Sequence, residues 1–276
     1  MSTRLFDLFA LQDRVAIVTG GSGVLGRAMA QGLLEAGARV CILGRDPARA
    51  QAVAESLSPG LERTLGLSAD VTQRAALEAA AEAVLHRWGR IDILVNAAGG
   101  NRLEATTSPT QPFFDLPPEA LRAAVDLNLF GTILPCQVFG RAMAEARSGS
   151  IINISSMAAI RPLTRVVAYA AAKAAVDNFT RWLAVYMAQE FSPAIRVNAI
   201  APGFFLGEQN RALLIDQTTG ELTPRGRAII DHTPMRRFGD PADLVGTVVW
   251  LASPASAFVT GIVVPVDGGF SAFSGV

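Results

Sequence analysis

Short aliphatic and β-branched runs alternate along this chain with longer alanine-rich stretches of helical period. That alternation limits the possible folds more than any other feature. VAIVT (15–19), RVCIL (39–43), residues 65–69, IDILVNAA (91–98), SIINIS (150–155), IRVNAIA (195–201) and IVVPV (262–266) read as strands. Residues 24–38, 47–57, 72–88, 117–146, 166–190 and 240–252 read as helices. Gly37 is the expected stop of the first helix, and Asp46-Pro47 offers an N-cap and a first-turn proline for the second. Strand and helix in strict alternation imply βαβ units and a parallel sheet. The strands carry no polar alternation, so helices must cover both sheet faces. The expected fold is α/β, a doubly wound parallel sheet of about seven strands with helices on both faces. With 276 residues, half of them hydrophobic, and no repeat, linker or low-complexity tract, one domain over 1–276 is expected. Two segments interrupt the rhythm: a Pro- and Thr-rich loop at 99–118 and an insertion at 204–239. Long loops in such a domain usually carry function.

Charge and cysteine usage narrow the partners. The 24 basic and 24 acidic side chains cancel, which argues against nucleic acid or an anionic membrane surface. Cys41 and Cys136 lie in apolar runs without metal-ligand spacing and read as small buried thiols of a reducing compartment, so no metal site is expected. The start shows no signal-peptide pattern, and no uncharged apolar stretch reaches membrane-spanning length. A cytoplasmic protein is the expectation.

TGGSGVLG (19–26) follows the first strand and opens the first helix. In a Rossmann-like sheet this is where a dinucleotide pyrophosphate meets backbone N–H groups and the positive end of a helix dipole. Gly20, Ser22, Gly23, Val24, Leu25 and Gly26 are therefore candidate cofactor residues. An acid ending the second strand would bond a ribose 2′-hydroxyl and favour NAD, but this chain reads Leu43-Gly44-Arg45-Asp46. The planar fork of Arg45 suits a 2′-phosphate, which puts NADP ahead of NAD. The alternative is a solvated arginine in a turn, with Asp46 only capping the next helix.

YAAAK (169–173) sets a phenol and an ammonium one helical turn apart. Alone, such a pair is either surface decoration or a device in which lysine favours the phenolate. Together with the other motifs it resembles the short-chain dehydrogenase/reductase family over nearly the whole chain. TGGSGVLG is similar to that family's cofactor turn, with Val24 in place of its middle glycine. Asp70 and Val71 resemble the adenine-binding acid after the third strand, and Asn96, Ala97 and Gly99 the motif that closes the fourth. Pro202-Gly203, with Phe205 just beyond, resembles the turn that meets the nicotinamide. Gly207 stands where the family often has a threonine, leaving Gln209 as a substitute donor. Asn128, Ser156, Tyr169 and Lys173 match the four catalytic positions. The resemblance implies that Tyr169 exchanges a proton with the substrate oxygen, Ser156 holds that oxygen, Lys173 favours the phenolate and bonds the nicotinamide ribose, and Asn128 fixes a water of the proton path.

The candidate substrate loops are polar and basic: Asn101, Arg102, Arg161, Arg165, Gln209, Asn210, Arg211 and His232. Arginines suit a carboxylate and amides suit hydroxyls. EQNRALL, TGELTPRG, HTPMRRFG and the ending VDGGFSAFSGV resemble a subgroup of the family assigned as D-mannonate oxidoreductases, or fructuronate reductases. The resemblance implies hydride transfer between a nicotinamide and a sugar-acid ketone or alcohol, D-fructuronate and D-mannonate first. Alternatives are a gluconate-type or polyol dehydrogenase, a 3-oxoacyl-carrier reductase and, more remotely, a non-enzymatic dinucleotide sensor. It also implies a homotetramer through the helices at 117–146 and 166–190, with the apolar tail near a second interface.

Overall fold

Seven parallel strands carry the chain, and the computed structural model describes residues 4–207 and 211–275. A 3₁₀ turn (Leu5–Phe9) precedes β1 (Val15–Thr19), α1 (Val24–Glu35), β2 (Arg39–Gly44), α2 (Pro47–Leu57), β3 (Thr64–Ser68), α3 (Arg74–Trp88) and β4 (Ile93–Asn96). Then come α4 (Pro118–Val125), a π turn (Asp126–Phe130), α5 (Gly131–Ala146), β5 (Gly149–Ile154), α6 (Met157–Ile160), α7 (Val167–Glu190) and β6 (Ile195–Pro202). α8 (Arg211–Leu214), α9 (Pro224–His232), α10 (Val245–Ala252) and β7 (Val263–Val266) follow. The strand order is β3-β2-β1-β4-β5-β6-β7. The order reverses between β1 and β4, and their carboxyl ends frame the crevice in which doubly wound sheets bind ligands.

The two-residue period of a strand explains the continuous apolar runs. Ala16 and Val18 of β1 join one core with α1, α2 and α10, while Val15 and Ile17 join the other with α3, α5 and α7. β2 divides the same way, Val40 and Ile42 against Cys41 and Leu43. Each fully buried aliphatic side chain contributes about 1.5–3 kcal/mol, so neither face tolerates a polar residue cheaply. Cys41 and Cys136 are free and buried, and burial pushes each thiol up to about 12.

Three features differ from the sequence expectation. The stretch at 117–146 is helical but broken by the π turn, an i→i+5 distortion that propensity does not encode. The run Pro118–Ala146 is, at 29 residues, long and apolar enough to cross a membrane by length and composition, although half of its apolar window is packed inside the protein. Cys136, Phe139 and Met143 are the side chains it drives into the core. The insertion at 204–239 carries α8 and α9, the latter opened by Thr223, whose hydroxyl accepts from Gly226 N at 3.1 Å, with Pro224 next. That is the same signal as Asp46-Pro47, where the carboxylate accepts from Arg49 N at 3.1 Å.

The turn after β1 is pressed against the end of β4. Gly20 adopts φ 64°, and a Cβ there would lie 2.8 Å from Ala97 O. A Cβ on Gly26 would lie 2.3 Å from Gly20 O, so α1 reaches this turn only because residue 26 has no side chain. Gly26→Ala is predicted to lower Tm by about 3–10 °C, from an overpacking cost of about 1–3 kcal/mol, and to weaken dinucleotide binding. Calorimetry and a cofactor titration check both; an unchanged Tm and affinity would show that the turn does not depend on this contact.

Candidate active site

Three side chains predicted for catalysis meet where β5 ends against α7. Lys173 is 4% exposed, and its Nζ donates to Ile154 O at 2.7 Å. The same ammonium lies 5.8 Å from the Tyr169 ring centroid. Burial lowers Lys173 to about 8, with the Asp177 carboxylate opposing the shift. Burial raises the Tyr169 phenol above its ordinary value, and its bond to the Ser156 hydroxyl works the other way. Ser156 is buried and N-caps α6, its Oγ accepting from Ala158 N at 3.1 Å. A short helix capped by the serine itself thus fixes where the hydroxyl sits.

Asn128, the fourth predicted residue, is fully buried in the π turn. Its Nδ2 donates to Gly100 O at 2.8 Å and Ala124 O at 2.9 Å, and its Oδ1 accepts from Gly100 N at 3.0 Å. The amide therefore ties α4 to the loop after β4. Gly99 sits between the two polar groups, since a Cβ there would be 2.8 Å from Asn128 Oδ1 and 3.2 Å from Lys173 Nζ. π distortions of this kind often mark functional sites, because they reorient a side chain that a regular helix would turn away.

The crevice beside this cluster fits a dinucleotide. Gly23 N-caps α1, Val24 opens the helix at the surface, and Leu25 packs half-buried on the core. The first-turn N–H groups have no intrahelical acceptors and can take an anion. At the end of β2, a Cβ on Gly44 would lie 2.7 Å from Ser22 Oγ. A side chain at residue 44 would therefore require the Ser22 hydroxyl to turn away. Arg45 is exposed next to it, and Arg49, which sequence reading passed over, donates from Nε to Ser22 O at 3.1 Å. Burial works to raise the Asp70 carboxyl, but the Thr72 N–H and hydroxyl, at 2.9 and 2.7 Å, together with Arg45 hold it below its ordinary value. Val71 is buried beside it, and Ala97 N donates to Thr19 O at 3.2 Å. Gly203, after Pro202, donates to Val266 O at 2.9 Å, joining the end of β6 to β7.

Two predicted cofactor residues turn inward. The Asn96 amide is 1% exposed and donates to Asn153 Oδ1 at 2.9 Å inside the sheet, so its side chain braces β4 against β5. The Phe205 ring is buried in the core and packs where a Cβ on Gly239 would meet it at 2.6 Å. Both were placed by motif, and a motif does not tell which way a strand-end side chain faces.

The predicted substrate residues are spread over several loops. Asn101 Nδ2 donates to Thr106 Oγ1 at 2.8 Å, and Arg102 Nε is buried without a partner. Arg161 Nε donates to Ser271 O at 2.8 Å, and the Phe204 and Phe270 ring centroids are 5.2 Å apart. The apolar tail therefore folds back on its own chain. Arg165 is exposed and has φ 76°, and its backbone carbonyl accepts from Thr107 N at 2.9 Å. Arg211 and His232 are exposed on α8 and α9, the His232 Nδ1 bonding Ala228 O at 2.8 Å. Gln209 and Asn210 lie outside the described residues. A cavity of about 370 Å³ between the ends of β6 and β7 and the insertion is lined by Phe204, Met235, Arg237, Asp243 and Asp267 but by none of Ser156, Tyr169 and Lys173.

A family profile described as enoyl-(acyl carrier protein) reductase matches residues 21–271. An uncharacterized oxidoreductase UxuB of Bacillus subtilis is 47% identical over 275 residues, covering 96% of this chain and 98% of that protein. A solved structure provisionally assigned as a D-mannonate oxidoreductase from Haemophilus influenzae, with bound NAD, superposes with a TM-score of 0.90 at 39% identity, covering 99% of this chain and 100% of that one. A gluconate 5-dehydrogenase from Burkholderia cenocepacia, in complex with NADP and tartrate, gives a TM-score of 0.86 at 33% identity over 98% and 99% of the two chains. With this fold and these relatives, the chain is an oxidoreductase of the short-chain dehydrogenase/reductase family.

Proposed function

We propose that this protein interconverts a sugar-acid ketone and its secondary alcohol with a nicotinamide cofactor, D-fructuronate and D-mannonate being the pair. The observation that carries the chemistry is the cluster of Ser156, Tyr169 and Lys173 at the mouth of a glycine-lined crevice. The sugar-acid class rests on similarity to the D-mannonate and gluconate structures, together with arginine- and amide-bearing loops. The nicotinamide, when bound, supplies or accepts the hydride.

The chain's own groups handle the proton. In the reducing direction Tyr169 donates its phenolic proton to the carbonyl oxygen, while the Ser156 hydroxyl donates a hydrogen bond to the same oxygen as charge builds there. Lys173, as an ammonium, lowers the cost of the phenolate left behind. Asn128 holds Gly100, and with it the loop that closes this side of the site. The glycines of 20–26 and the first turn of α1 hold the pyrophosphate, Asp70 the adenine side and Lys173 the nicotinamide ribose. The insertion at 204–239 forms one substrate wall of the single domain, and the loop after β4 supplies Arg102, whose Nε is buried without a hydrogen-bond partner and suits a carboxylate. Gly44 and Arg45 favour NADP over NAD. The row Phe179, Trp182 and Tyr186 on α7, stacked at 6.3 and 5.0 Å with Trp182 and Tyr186 exposed, supports subunit contacts through this helix in a cytoplasmic homotetramer.

Turnover of D-fructuronate, 5-keto-D-gluconate, a neutral ketose and a 3-oxoacyl carrier substrate tests the proposal. D-Fructuronate is expected to give the highest kcat/KM; a higher value for 5-keto-D-gluconate would reassign the substrate, and a higher value for the carrier would overturn the class. Tyr169→Phe is predicted to lower kcat at least about 100-fold while cofactor affinity stays within threefold. Arg45→Ala is predicted to lower kcat/KM for NADPH about tenfold or more through loss of a charge-assisted contact, with NADH nearly unchanged. Equal effects on both cofactors would remove Arg45 from the 2′-phosphate site.

A further inference from the structure

Three consecutive residues leaving β5 engage three positions of α7 spaced four apart. Ile154 O accepts from Lys173 Nζ at 2.7 Å, the Ser156 hydroxyl bonds the Tyr169 phenol, and the Ser155 hydroxyl faces Asp177. Tyr169, Lys173 and Asp177 thus share one face of the helix, one turn apart. The proton chemistry described above uses the first two and leaves the third without a role.

Asp177 is 6% exposed, an uncommon place for a carboxylate. Burial raises the Asp177 carboxyl above its ordinary value, while the nearby Ser155 hydroxyl, Arg181 and Lys173 favour its charged form. Its Oδ1 and the Ser155 Oγ are both buried and neither completes a hydrogen bond of good geometry. A helix built for packing alone would place an apolar residue here, as it does at Val176 and Ala184. The charged groups acting on Asp177 are Lys173 and Arg181, both on its own helix. From the packed neighbours, β6 offers only Arg196, which is held by Ser256 Oγ and Ser253 O, and α6 offers none. Glu119, Arg122 and Asp126, on α4 and the π turn, are exposed.

We propose that Asp177 is a positioning residue for catalysis, the counter-charge that keeps Lys173 an ammonium inside the closed site. This rests on the proposed role of Lys173. An ammonium taken out of water tends to shed its proton, and a carboxylate one turn away opposes that loss. Without it the proton leaves at lower pH, and the phenolate loses its support within the working range. Ser155 favours the charged carboxyl and so belongs to the same device.

Lys173 is the only lysine in the 276 residues, every other basic side chain being arginine. Protein labelled with lysine carrying carbon-13 at Cε therefore gives one lysine signal, and its pH titration reads this ammonium without any substrate. Asp177→Asn is expected to move the Lys173 midpoint down by about one pH unit or more, with Asp177→Glu restoring most of it. Ser155→Ala, which leaves the acid in place and serves if the Asn variant does not fold, is expected to move it the same way by less. Midpoints that coincide with wild type would overturn the inference. The alkaline limb of kcat/KM for D-mannonate oxidation is expected to fall by the same interval. If the midpoint moves and the limb does not, the counter-charge stands as an electrostatic fact, but its role in catalysis, and that of Lys173, is overturned.

Discussion

The hydrogen bond from Lys173 Nζ to the Ile154 carbonyl is the contact around which the site is arranged. It joins the last residue of a central strand to the long helix that crosses behind it, and places a cation where water is excluded. A buried ammonium is costly unless it is bonded and balanced, so the surrounding residues follow from it. Gly99 must lack a side chain to let the Nζ and the Asn128 amide approach each other. The helix must lose its regular ladder at Asp126–Phe130 to carry that amide inward. Ser156 must begin a new short helix at once, because only then does its hydroxyl stand beside the phenol of Tyr169.

The cofactor side obeys a second constraint, close approach of backbone. The turn after β1, the end of β4 and the first turn of α1 meet at distances that admit no Cβ at Gly20 or Gly26. What results is a surface of N–H groups with no side chains in front of them, which is what a pyrophosphate requires. At its rim, Gly44 stands where an acid would bond an unphosphorylated ribose, with Ser22 Oγ beside it, Arg45 exposed next in the chain and Arg49 Nε donating to Ser22 O.

Much of this was legible in the sequence because periodicity and spacing report backbone geometry. Doubly buried strands leave unbroken apolar runs, and the Asp46-Pro47 cap marks the start of α2 at the residue where the helix begins. The π turn was not legible, since DLNLF has the composition of an ordinary helix. α9 carried a usable signal in Thr223-Pro224, overlooked amid the polar insertion. Asn96 and Phe205 show the opposite limit: motif position singles them out along the chain, but the direction of each side chain depends on tertiary packing. Asp177 was invisible for a related reason. A single acid in an alanine-rich helix reads as a solvated face, and only the four-residue spacing from Tyr169 through Lys173 distinguishes it.

The most direct measurement of the central claim follows the hydride itself. Cofactor deuterated at the transferable position of the nicotinamide would be incubated with D-fructuronate, and the sugar acid analysed by NMR. Deuterium is expected on the new carbinol carbon of D-mannonate with the wild-type chain, appearing at least about 100-fold more slowly with Tyr169→Phe. Protein that binds the cofactor yet leaves every sugar-acid ketone unlabelled would contradict it.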